Sequence, residues 1–215
     1  MLVCSWIAAG VLLVSAQAPA GQGAAGAAPT PLKVNGLIPG PFFPYNLNGP
    51  RETSYACPIT GIEDNPCVMV FLKSGDEAAD PVRKFLVDLD GALVRYRRDN
   101  LRSFVTIVDP AIKGTILMED DARNEAAKKL REWISSLMTK TLNFGLDTPT
   151  GLKAWSINPD AAMTVVLYKN YKVVSLFSLN AADLTDAKLN PILADLVQKQ
   201  MVQARRTSPL PAPRP

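Results

Sequence analysis

The chain has 215 residues, 23 Lys and Arg against 20 Asp and Glu, and no histidine. The missing histidine removes the Ser-His-Asp triad, the Cys-His pair and HExxH zinc sites, and the few cysteines cannot build a structural zinc centre. Arg205, Arg206 and Arg214 near the carboxyl terminus carry the net charge of +3, so the rest is balanced and offers no basic field for nucleic acid.

Residues 1–20 predict a signal peptide: an uncharged apolar stretch from Trp6 to Ala16, too short to span a bilayer, then small residues with cleavage expected after Ala20. No Lys or Arg precedes the apolar stretch, which keeps an uncleaved anchor open as the alternative. The expected result is an exported chain, periplasmic or secreted, with no membrane span after cleavage. Residues 21–34 read as a flexible Ala/Gly/Pro leader and residues 204–215 as a disordered Pro-rich tail. One domain of ordinary size, 35–203, lies between them.

Within it, the segment 35–66 opens with residues 35–51, which hold too much Pro and Gly for a helix or central strand, yet Phe42, Phe43, Tyr45 and Leu47 are too apolar for a free loop. An extended arm laid over the core is expected. Cys67 to Leu72 is an unbroken apolar run of strand length, the pattern of a strand buried on both faces. Asp80-Pro81 then predicts a helix start with Asp80 as N-cap, and Val82, Phe85, Leu86, Leu89, Leu93 and Tyr96 give the helix one apolar stripe. Arg95, Arg97, Arg98 and Arg102, interleaved with acids, read as its solvated face.

Phe104 to Val108 is a second buried strand. A second helix is expected from Asp120 or Asp121, with Ala126, Leu130, Trp133, Ile134 and Leu137 facing inward. Glu119, Asp120 and Asp121 are read as serving that helix's amino end rather than a cation. Asn143 to Gly151 is expected to be irregular, and Leu152 to Ile157 a short extended segment with Trp155 packed inward. Met163–Tyr168 and Lys172–Phe177 predict a hairpin. Pro191 predicts a turn at 185–189 and a final helix only from Pro191 onward. Strand-helix-strand-helix followed by strand-strand-helix predicts an α/β, thioredoxin-like domain: a four-stranded mixed sheet with helices on both faces.

Particular residues resemble those of exported bacterial thioredoxin-like proteins. They are Gly40-Pro41-Phe42, Tyr45-Asn46, Gly49-Pro50, Cys57, Pro66 and Val68-Met69-Val70-Phe71 in the first half. The second half adds Asp160 to Tyr168, Lys172-Val173-Val174 and Leu184-Thr185. The likeness implies the fold and carries no activity with it. It also exposes two departures. Where the family pattern has Cys-x-x-Cys, this chain has Cys57-Pro58-Ile59-Thr60, so the adjacent dithiol cannot form. Where thioredoxins carry their reactive cysteines, between the first core strand and its helix, Ser74 to Asp80 contains no sulfur. Ala162-Met163-Thr164 likewise stands where their cis-proline would be.

Cys57 and Cys67 are the two cysteines expected to remain after signal removal, and three readings of them stay open. In the first, export and an even count favour a structural disulfide, worth about 2.5 to 3 kcal/mol through the short loop it closes. In the second, Cys67 is a buried small apolar strand residue and Cys57 is free or unpaired. In the third, Cys57 is a catalytic thiol with Cys67 as a distant resolving partner and Arg51 as the nearest cation. The disulfide is expected first. The leading functional expectation is a non-catalytic binding or structural module of the cell envelope, with an envelope protein as partner. The alternative is a divergent thiol-disulfide oxidoreductase using Cys57. No cofactor and no metal is expected.

Overall fold

The computed structural model describes residues 31–62, 64–117 and 120–207; the expected signal peptide and most of the leader lie outside them, as do Glu119 and residues 208–215. One six-stranded sheet organises the chain. Its strands are β1 (Tyr45–Asn46), β2 (Cys67–Lys73), β3 (Arg102–Val108), β4 (Asn143–Asp147), β5 (Met163–Lys169) and β6 (Lys172–Leu179), in the spatial order β1-β4-β3-β2-β5-β6. β2, β3 and β4 run parallel, with Cys67 opposite Arg102 and Phe104 opposite Asn143. β5 and β6 close one edge antiparallel, and β1 closes the other. Three helices connect and cover it: α1 (Asp80–Arg95), α2 (Asp120–Leu137) and α3 (Asp186–Thr207).

The alternation of side chains along β2 divides the core. Val68, Val70 and Leu72 face the helices, against Phe85, Leu86 and Leu89 of α1, Leu130 and Ile134 of α2, and Leu189 and Ile192 of α3. Cys67, Met69 and Phe71 face the other way, against Phe42 and Ile59 of the arm and Trp155. The α/β class and the thioredoxin-like order are as the sequence predicts. The layering differs: all three α-helices cover one face. The arm and two short 3-10 turns, Ile59–Gly61 and Lys153–Trp155, cover the opposite face.

The sheet gains two strands over the four expected. Asn143–Asp147 was expected to be irregular but forms β4, because Phe144 and Leu146 point into the helix-side core and the backbone pairs with β3. Gly145, on the other side of that strand, lets the chain approach closely: a Cβ there would stand 2.9 Å from both the Phe104 ring and Pro44. Leu152–Ile157 coils into the 3-10 turn instead of extending, although Trp155 is fully buried as expected. Asp80 is the first helical residue rather than the N-cap, which is Ala79, and Pro81 follows where its missing N–H costs nothing. The hairpin turn is the two residues Asn170 and Tyr171, both at positive φ (50° and 59°), the mirror-image turn that suits strand twist.

Pro191 does not delay α3. The helix starts at Asp186, where the Thr185 carbonyl accepts from the Lys188 and Leu189 N–H groups. Pro191 therefore removes one bond early in the helix and sits on its exposed side. α3 continues to Thr207, so residues 204–207 of the expected tail are helical. Arg102 is not on a helix face but is the first residue of β3.

Candidate functional site

At the carboxyl ends of β2 and β3, where open α/β sheets usually place their ligands, the loop from Ser74 to Ala79 leads into α1. The Ser74 N–H donates to the Val108 carbonyl at 2.9 Å, and the Gly75 N–H to the Glu77 carboxylate. A crevice of about 350 Å³ lies alongside, lined by Phe71, Lys73, Val108, Leu152, Ile157 and Ala161. Its walls are largely apolar, and no sulfur faces it.

The two described cysteines lie at the other end of the sheet. Cys67 begins β2, six residues from Lys73, or roughly 20 Å along the strand. It is fully buried, with Tyr168 of β5 directly across the ladder. Cys57, 3% exposed, comes from the arm just before the Ile59–Gly61 turn and joins the same cluster. Both are free thiols. The disulfide expected first from the sequence is therefore absent from this structure, and the two sulfurs occupy one apolar compartment instead.

Burial pushes the Cys67 thiol up to about 12, with the Tyr168 hydroxyl and the Arg102 charge only partly opposing it. The Tyr168 hydroxyl is held in its protonated form by burial, and the neighbouring Cys67 and Cys57 sulfurs add to this. That hydroxyl has no hydrogen-bond partner of ordinary geometry and is buried in the same cluster as the sulfurs.

Cys57 also lines the wall of a cleft of about 300 Å³ at the amino ends of β3 and β4. Arg51, Arg102, Ser103, Asn46, Asn48 and Asn143 share the wall, and among the described residues no acid does. Arg51 was already the nearest cation by sequence. Arg102 was missed, because only the register of β2 against β3 sets it beside the thiols. Among the described residues no group of three or more His, Cys, Asp or Glu could hold a metal ion, and no helix is long and apolar enough to cross a membrane.

Backbone anchoring holds the cleft in shape. Asn48 donates to the Leu142 carbonyl at 3.0 Å and accepts from the Phe144 N–H at 2.7 Å, while Asn46 donates to the Ser54 carbonyl at 2.8 Å. The arm is further clamped by Arg123, whose guanidinium lies 4.8 Å from the centre of the Tyr45 ring and contacts the Tyr55 hydroxyl and Asp120. Asp120 and Asp121 occupy the first turn of α2, the place the sequence gives them.

No family model matches the chain, and no curated protein matches it by sequence. Solved structures do. The reduced 2-Cys peroxiredoxin of Plasmodium vivax matches with a TM-score of 0.52 at 13% identity, over 79% of this chain and 98% of that one. A thiol:disulfide interchange protein from Bacteroides sp. matches with a TM-score of 0.50 at 13% identity, over 78% and 91%. The yeast mitochondrial 1-Cys peroxiredoxin matches with a TM-score of 0.51 at 8% identity, over 86% and 84%. At such identities the likeness establishes architecture and not chemistry. With the strand order and core described above, it shows that this chain has a thioredoxin-like fold.

Proposed function

We propose that the protein is a thiol-disulfide redox protein of the cell envelope that works through Cys57, with Cys67 as its partner, at the amino end of the sheet. One observation carries the reading: two unbonded thiols share a buried cluster, and one of them lines a cleft containing two arginines. The similarity to peroxiredoxins and a thiol:disulfide interchange protein supports it, as does the signal-like segment for export. The Cys57 thiolate attacks a sulfur of a substrate disulfide, forming a mixed disulfide and releasing one substrate thiol. Cys67 then attacks Cys57, releasing the second substrate thiol and leaving a Cys57–Cys67 bond. Two electrons pass to the substrate, and the protons of the two protein thiols go to the departing thiolates. A Cys67 proton held up to about 12 makes the second step the slow one.

A second reading keeps the protein as a non-catalytic binding or structural module with an envelope protein as partner. The burial of both sulfurs and the sulfur-free loop before α1 favour it. Insulin reduction by purified mature protein, with a free-thiol count before and after, separates the two. Turnover abolished by Cys57→Ser, with a reversible loss of two thiols, supports the redox reading. No turnover and two thiols inert to alkylation in the folded state would establish the binding module.

A further inference from the structure

We propose that the cleft beside Cys57 is an anion subsite that selects small carboxylate-bearing thiols and their disulfides; this rests on the redox reading above and names its substrate class. Arg51 comes from the arm and Arg102 from the first position of β3, and both backbones are tied down. The turn bearing Arg51 is held by the Glu52 N–H on the Gly49 carbonyl at 3.1 Å and the Thr53 N–H on the Asn46 carbonyl at 2.9 Å. The Arg102 N–H donates to the Pro66 carbonyl at 2.9 Å. Both side chains are exposed, which leaves their forked donors available to an incoming carboxylate.

Three of the other polar groups of the wall, Ser103, Asn46 and Asn48, are committed elsewhere, and Asn143 carries no charge. Ser103 donates to the Val68 carbonyl at 2.8 Å, and Asn46 and Asn48 hold the backbone as described. Charge recognition in the cleft therefore falls to the two guanidinium groups, and no described acid opposes them. A volume of about 300 Å³ suits a small ligand; at roughly 30 Å³ per water-sized group it holds about ten such groups. Cys57 in the same wall restricts the productive ligands to those with a sulfur to exchange. The surrounding protein is close to neutral, so the selectivity is local to this cleft.

Three disulfides of similar size and different charge test this: dithiodiglycolate, hydroxyethyl disulfide and cystamine, negative, neutral and positive. Their rates of oxidising Cys57 are each normalised to the rate with a small free thiol. Dithiodiglycolate should be favoured over cystamine by about tenfold or more, since two exposed ion pairs each contribute up to about 1 kcal/mol. The preference should disappear in Arg51→Gln/Arg102→Gln and shrink with salt. Equal normalised rates for all three overturn the subsite and leave the redox reading standing. Should none oxidise Cys57, the redox reading fails instead. Calorimetric titration of the Cys57→Ser protein with adipate, the carbon analogue of dithiodiglycolate, then decides the subsite alone. Saturable binding lost in the double arginine variant supports it, and no binding overturns it.

Discussion

Replacing Asp147 with Asn should change the pH dependence of stability more than its level. The residue ends β4 and is 1% exposed, and its Oδ1 accepts one hydrogen bond, from the Thr148 N–H at 2.7 Å. Burial pushes its pKa from 3.8 up to about 6, and the single hydrogen bond offsets only part of that. In the unfolded chain the group titrates near its ordinary value. The protonated form is therefore favoured by folding. Its stabilising contribution is complete below the unfolded value of 3.8, is lost as pH rises through about 6, and stays lost above. A shift of about two units corresponds to about 3 kcal/mol across that window. Asn keeps the acceptor for Thr148 but adds an amide donor, at a cost of about 1 to 2 kcal/mol at every pH. Urea unfolding should thus find the variant less stable by about that amount near pH 4, and more stable by about 1 to 2 kcal/mol near pH 7.5. Stability profiles that run parallel between those pH values would refute the reasoning.

Asp90 should behave in the opposite sense. Burial tends to raise its pKa, but hydrogen bonds from the Thr141 hydroxyl and from the N–H groups of Lys140, Thr141 and Leu142 outweigh this and hold it below 3.8. Its contribution is present at neutral pH and lost as pH falls through the lowered folded value. Asp90→Ala, which frees three backbone donors at the approach to β4, should cost about 3 kcal/mol in urea unfolding at neutral pH. Tyr168→Phe removes a buried hydroxyl that lacks a partner of ordinary geometry, so thermal unfolding should show a stability equal to or up to about 1 kcal/mol above that of the parent. A clear loss would mean that the hydroxyl is bonded to the Cys67 sulfur.

Several elements were legible in the residues because their signals are local. The β-type run at Cys67–Leu72, the apolar stripe of α1, the hairpin at 163–177 and the acids opening α2 each state their own geometry, and the order of elements then gives the fold. β4 was not legible: Asn143-Phe-Gly-Leu-Asp carries a Gly and polar ends, and only pairing with β3 and burial of Phe144 and Leu146 make it a strand. The delayed start expected for α3 failed because a proline this early removes a single helical bond, which packing of Leu189, Ile192 and Leu196 outweighs.

For the site, the sequence by itself determined what is missing: no histidine, no Cys-x-x-Cys, no sulfur in the loop from Ser74 to Asp80 that leads into α1. Composition is enough for that, since chemistry needs its atoms wherever the chain folds. Tertiary structure alone decided that Cys57 and Cys67 share one buried cluster with Tyr168, that Arg102 lines a cleft instead of a helix face, and that Asp147 is buried. Each depends on strand register and on the arm's path across the sheet, and these follow from contacts between residues far apart in the chain, which no local pattern encodes.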